Sequence, residues 1–198
     1  MLAALCAHAA LGAMVTINVS TKSGAAAEDT LIVFDPLDAQ VPSSRDTAVI
    51  DQVNKRFTPR ISVVRTGTAV VFPNSDRIRH QVYSFSKPKM FTLKLYAGSP
   101  TTTSITFDHA GLVILGCNIH DNMVAFVGVV DSPYFVKMGS TGSGALDLPA
   151  GRYRMRVWHP NLTAGVPPRE ITVAAPSLTI PVSTEMDAAS LNVAAWPE

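Results

Sequence analysis

Apolar and polar residues alternate with a period of two through Val15-Thr-Ile-Asn-Val-Ser20 and again through Gln81-Val-Tyr-Ser-Phe85. Successive side chains on a β-strand point to opposite faces, so such runs predict strands with one face buried. Short apolar or alternating runs at 31–34, 61–64, 68–72, 104–107, 112–115, 124–130, 152–158, 170–173 and 178–182 predict further strands. No stretch sustains helical spacing with capping residues at its ends. The 14 prolines and 12 glycines fall mostly between the strand candidates, where they form turns. Arg65-Thr-Gly67 reads as a tight turn between two strands, and 139–144 (Gly-Ser-Thr-Gly-Ser-Gly) as a flexible turn. Many short strands separated by turns predict an all-β sandwich or barrel. Joints are expected at 38–44 and 131–133, and no repeat is visible.

Composition sharpens this in two places. Apolar residues make up 47% of the 198 positions and charged residues 16%, a balance that suits strands and turns better than charged surface helices. The formal net charge of +1 gives no reason to expect nucleic acid as a partner. Locally the balance is different. Lys55, Arg56, Arg60, Arg65, Arg77, Arg79, Lys87, Lys89 and Lys94 fall in one stretch whose only acid is Asp76. Such a face can steer an acidic protein partner, although scattered solubilising charge gives the same count.

The first 13 residues, with Cys6 among them, are apolar and rich in small residues, and too short to span a bilayer. They read as the apolar part of an export signal, with Ala7-His-Ala9 or Ala13 as its end; a buried N-terminal strand or helix is the alternative. No other segment is a candidate membrane span. With that segment removed, Cys117 is the one cysteine left, and it has no partner for an internal disulfide.

Cys117 stands in the densest cluster of chemistry in the chain, Gly116-Cys-Asn-Ile-His-Asp-Asn-Met123. A thiolate, an imidazole and a thioether lie within seven residues, on a short loop between two predicted strands. His80 precedes another strand candidate, and strand pairing can bring it to the same end of a sandwich. Taken singly, each residue has a bland reading: a buried cysteine or methionine as core filler, a histidine as a turn residue. Together, soft sulfur donors and borderline imidazoles suit copper in both oxidation states. A structural zinc site would more often show paired cysteines, which are absent. The expected metal ligands are therefore His80, Cys117, His120 and Met123, holding one copper ion as Cu(I) or Cu(II). His109 and His159 are expected to be structural.

Segment 46–131 resembles the cupredoxin family. The spacing of Cys117, His120 and Met123 is similar to the short ligand loop of the amicyanins. Phe57-Thr-Pro59, Val63-Val-Arg-Thr-Gly67, Val70-Val-Phe72 and Asn74-Ser-Asp76 before His80 are similar to the first half of that family. The whole chain resembles bacterial cupredoxin-like proteins often labelled methylamine utilization proteins, through the 116–123 loop and Leu148–Pro160. The resemblance implies Nδ1 ligation by both histidines, an axial Met123 and a Greek-key sandwich. Many cupredoxins have asparagine after the first histidine, where this chain has Gln81; Asn74 or Asn118 is expected to take its role. The stretch 148–158 resembles a strand of carboxypeptidase-regulatory-like β-sandwiches.

The expected organisation is an export segment at 1–13, N-terminal strands at 14–44, a cupredoxin domain at 45–131 and a regulatory-like sandwich at 132–198. Both chain ends read as one sandwich into which the cupredoxin is inserted; a decorated cupredoxin followed by a separate domain is the plain alternative. The resemblance implies a periplasmic electron carrier, not itself a catalyst, whose expected redox partners are a dehydrogenase, a cytochrome c or both, acidic proteins being candidates. A copper carrier without electron transfer, or a scaffold module, are the competing expectations.

Overall fold

A computed structural model describes residues 12–42, 44–98, 104–174, 176–187, 193 and 195–197. Every described element is a strand, so the fold is all-β. Among the described residues no helix is long and apolar enough to cross a membrane. Cys6 and the expected export segment up to Leu11 lie outside the described residues. Ala13, expected to close that segment, opens the first strand and pairs with Leu148.

The chain divides into two units with separate cores. The first begins with β1 (Ala13–Thr21) and β2 (Leu31–Pro36). Ala13, Val15, Ile17 and Val19 of β1 are buried while Met14 and Asn18 are exposed, the alternation its sequence predicts. In β2, residues 31–34 are all buried, as a continuous apolar run requires.

The chain then enters the second unit at Gln40. It contributes β3 (Thr47–Val49), β4 (Asp51–Val53), β5 (Arg56–Thr58), β6 (Ile61–Arg65), β7 (Thr68–Val71), β8 (Tyr83–Ser84), β9 (Phe91–Thr92), β10 (Ser104–Phe107), β11 (Gly111–Gly116) and β12 (Val124–Val130). One sheet has the order β6-β12-β11-β8-β9, a second β10-β7-β3, and β4-β5 is a hairpin. The pairings β6/β12 and β3/β7 are parallel, so the strands are not joined as simple hairpins. Val113, Leu115, Ala125, Val127 and Val129 from the five-stranded sheet meet Val70, Phe72 and Phe107 in one core. The expected turn at Arg65-Thr-Gly67 is present. Gly67 has φ 96°, and a Cβ there would lie 2.4 Å from the Ser44 carbonyl oxygen.

The chain returns to the first unit at Tyr134, whose carbonyl oxygen accepts from Phe34 N at 2.8 Å. The returning chain therefore pairs with β2, the last strand before the chain leaves the unit. The returning strands are β13 (Phe135–Lys137), β14 (Ser143–Leu148), β15 (Gly151–Trp158), β16 (Val166–Val173) and β17 (Ser177–Thr184). Sheets β14-β1-β17 and β13-β2-β15-β16 enclose Ile17, Phe34, Met155, Val157 and Ile180.

Three readings of the sequence need correction. The expected flexible turn at 139–144 closes at Gly142, and Ser143 and Gly144 belong to β14. Gly144 is there for close packing: a Cβ would lie 2.7 Å from Met138 Cε and 2.8 Å from Val136 Cγ2. The expected strand at 81–85 shrinks to Tyr83–Ser84, because the backbone on its N-terminal side is taken up by an isolated bridge between His80 and Tyr96. The strand expected from 170 begins at Val166 and includes Pro167 and Pro168; β16 is an edge strand, where proline costs no ladder bond.

Candidate metal centre

The centre is built where β11 ends and β12 begins. Gly116 closes β11, and Cys117 is the first residue past it. A Cβ on Gly116 would lie 2.6 Å from the Tyr83 ring, so glycine lets the β8 aromatic pack on the backbone just before the thiol. The loop then turns within itself: Met123 N donates to His120 O at 3.0 Å and Val124 N to Asn122 O at 3.2 Å. This short turn carries Cys117, 4% exposed, and Met123, 1% exposed, into the core of the second unit.

His80 reaches the same place from the other side of β11. Its backbone exchanges two hydrogen bonds with Tyr96, both 3.0 Å. Asn74 braces the loop before it: its Nδ2 donates to Ile78 O and Tyr96 O at 2.9 Å each, and its Oδ1 accepts from Asp76 N at 3.0 Å. The His80 ring is fully buried. Its Nε2 donates to Asp76 Oδ2 at 2.7 Å, which leaves Nδ1 facing Cys117 Sγ at 3.9 Å. A carboxylate accepts only, so this bond puts a proton on Nε2 and, in the neutral ring, the lone pair on Nδ1.

Asp76 is itself held by the β4–β5 turn. Asn54 N donates to its Oδ1 at 2.7 Å and Lys55 N to its Oδ2 at 2.8 Å. Burial resists its ionisation, but the Lys55 N–H, His80 and the Asn54 N–H outweigh that and hold the carboxyl below the usual range. Tyr96 is shifted the other way. Burial pushes its phenol up to about 12, against the Gln52 hydrogen bond and with help from the Asp51 and Cys117 charges.

The ligand atoms of His80, Cys117 and His120 all lie within 4.8 Å of one another. The two imidazoles are 5.1 Å apart between centroids. His120 Nδ1 is buried and has no hydrogen-bond partner among the described residues. A buried imidazole nitrogen left unpaired is costly unless something binds it. A thiol and two imidazole nitrogens around one point form a donor set that fits copper, and the Met123 thioether is buried in the same core as Cys117.

Gln81 and Asn118 answer the question raised by the departure at position 81. Asn118 Nδ2 donates to Gln81 Oε1 at 2.7 Å, tying the two ligand loops together. Asn74 braces one loop only. His109 is exposed, and His159 Nδ1 accepts from Asn161 N at 3.1 Å; neither joins the cluster. Asp76 is the contributor that sequence reasoning missed. Its only signal was being the lone acid in a basic stretch, four residues before a candidate ligand. Of the surrounding residues, Ile119 is 52% exposed on the ligand loop, and Arg77, Arg79 and Lys87 are exposed. Lys89 pairs with Asp108 at 2.9 Å.

No family model and no curated protein matches the chain. Parts of it are similar to solved structures at low identity. A purple cupredoxin from Nitrosopumilus maritimus is 20% identical over 41% of this chain and 98% of its own, with a TM-score of 0.36. The reduced Cu(I) form of an amicyanin variant is 17% identical over 50% of this chain and 97% of its own, with a TM-score of 0.37. A Cu-containing nitrite reductase from Thermus scotoductus SA-01 is 21% identical with a TM-score of 0.40; the match covers 50% of this chain and 26% of the reductase. Each of these three likenesses spans half of the chain or less.

Proposed function

We propose that the chain is a cupredoxin that carries single electrons on one copper ion held by His80, Cys117, His120 and Met123. The observation that carries this reading is the meeting of the three donor atoms within 4.8 Å, with the His120 Nδ1 buried and unpartnered. Copper bound there supplies a Cu(I)/Cu(II) couple. The chain's residues do the rest. Asp76 fixes the His80 tautomer, the Asn118–Gln81 bond fixes the spacing of the ligand loops, and the buried Cys117 and Met123 offer sulfur with water excluded. A site held this firmly changes little between oxidation states, which keeps electron transfer fast. The His120 loop, with exposed Ile119, is where a redox partner docks, and a dehydrogenase or a cytochrome c suits that role.

Further parts of the reading follow from the sequence. The cupredoxin domain is 45–131, and the remaining strands form a carboxypeptidase-regulatory-like sandwich. The protein works in the periplasm, exported by the apolar segment at 1–13. It is a carrier and not a catalyst.

The test is to add Cu(II) to purified apo-protein and record visible and electron paramagnetic resonance spectra and the reduction potential. An intense thiolate-to-copper absorption, lost in Cys117→Ala and His80→Ala, with a reversible one-electron potential, is expected. Tight Cu(I) binding with no colour and no reversible couple would replace the reading with a copper carrier. No copper uptake would end it.

A further inference from the structure

A cleft of about 510 Å³ opens beside the ligand loop, lined by Arg56, Phe57, Thr58, Arg60, Asn122 and Val124. Its wall at 122–124 is the end of that loop and brackets Met123. Two arginines face this space, and among the described residues neither has an ion pair or a side-chain hydrogen bond. Arg60 is nonetheless held in place. Its guanidinium carbon sits 5.5 Å from the centroid of the buried Phe126 ring, and its carbonyl oxygen accepts from Phe126 N at 2.9 Å. A guanidinium stacked on a ring keeps its planar fork of N–H donors free for a planar anion. Arg56 stands on β5, where Phe57 is buried and Arg56 and Thr58 face outward.

We propose that this cleft is an anion-binding socket that seats a carboxylate side chain of an acidic redox protein. Two arginines among the lining residues supply guanidinium forks able to hold a carboxylate by two bonds each, and Asn122 lines the same cleft. Charge selects the occupant. The stretch 55–94 holds nine basic residues and one acid, and that acid, Asp76, is already engaged by His80, Asn54 and Lys55. A second copy of this chain presenting its own 55–94 stretch to the cleft would be repelled. An acidic protein anchored here would lie against the loop that carries Cys117, His120 and Met123. That the occupant is a redox protein rests on the carrier reading above; that the cleft takes an anion does not.

The test uses the full-length apo-protein, labelled with nitrogen-15 and titrated with a short oligo-glutamate peptide, with oligo-lysine as the control. Shifts centred on the Arg56 and Arg60 side chains and on the amides of 122–124 are expected, and they should weaken with salt. Affinity should fall roughly five- to ten-fold in Arg56→Gln/Arg60→Gln. Arg60→Lys, which keeps the charge and loses the fork, should also weaken it. Arg56→Gln alone removes a side chain without partners and serves if the pair does not fold. Shifts centred on Lys87 and Lys89, or affinity unchanged in these variants, would overturn the socket. In the copper-loaded protein, hexacyanoferrate(II) gives one electron to Cu(II) and becomes hexacyanoferrate(III). That reaction should slow in the double variant, while reduction by the cationic hexaammineruthenium(II) should not. Equal slowing of both, or of neither, would overturn the redox identity of the occupant. Failure of copper uptake strikes the carrier reading and leaves the peptide result to decide the socket.

Discussion

Asp76 shows how one carboxylate links a turn to a candidate metal ligand. It takes two backbone N–H groups from the β4–β5 turn and one from His80. Its pKa is lowered, so its contribution to stability is present above the unfolded value, about 3.9, and is lost as pH falls through the lower folded value. Asp76→Asn keeps the size and can still accept one N–H, but it cannot accept all three as a charge. The variant is expected to melt below the parent near neutral pH. The gap should close as pH drops below about 4. Thermal melts of the two apo-proteins across pH check this, and a gap independent of pH would show that the charge is irrelevant. The candidate ligands stood out in the sequence because three of them sit within seven residues. Asp76 did not, because its role depends on a turn more than twenty positions away.

The β4–β5 hairpin turns on Asn54 and Lys55, both with positive φ, at 53° and 59°. Two successive left-handed residues are the pattern of a type I′ turn, for which Asn-Gly is the favoured pair. Lysine in that position carries a steric cost that glycine lacks. Lys55→Gly keeps the N–H that Asp76 needs and is expected to stabilise the protein by about 1 kcal/mol. Chemical denaturation checks the sign; destabilisation would mean that the Lys55 side chain contributes more than the turn costs. The same element shows what the sequence hid. Strands with buried alternation, such as β1 and β15, were legible, because their pattern is imposed by the core. The strands β3, β4, β5, β9 and β13 have two or three residues each, too few for a period to register. The bonds that hold them come from elsewhere in the chain: Gln52 N donates to Pro73 O at 3.1 Å, and Leu93 N to Val82 O at 2.8 Å. The cleft at Arg56 and Arg60 was hidden for a like reason, since those arginines are over sixty positions from Asn122 and Val124.

The two cores draw on different side chains, and this sets how mutations propagate. Ile17 and Phe34 belong to one, Val127 and Leu115 to the other. A large-to-small change leaves a cavity whose cost falls on the side chains lining it. Changes that share no partners act independently. Ile17→Ala, in a fully buried position of β1, is expected to cost about 2–4 kcal/mol. In molecules that remain folded, it should leave the copper spectrum and potential of the loaded protein unchanged. Val127→Ala removes less volume and should cost less, about 1–3 kcal/mol, but it lies on β12, in the same core as Cys117 and Met123. It should shift the spectrum or the potential as well as the stability. Denaturation curves give the first quantity, and visible spectra with cyclic voltammetry the second. If Ile17→Ala moves the copper signals as much as Val127→Ala does, the two cores are coupled and the site answers to the whole chain rather than to its own unit.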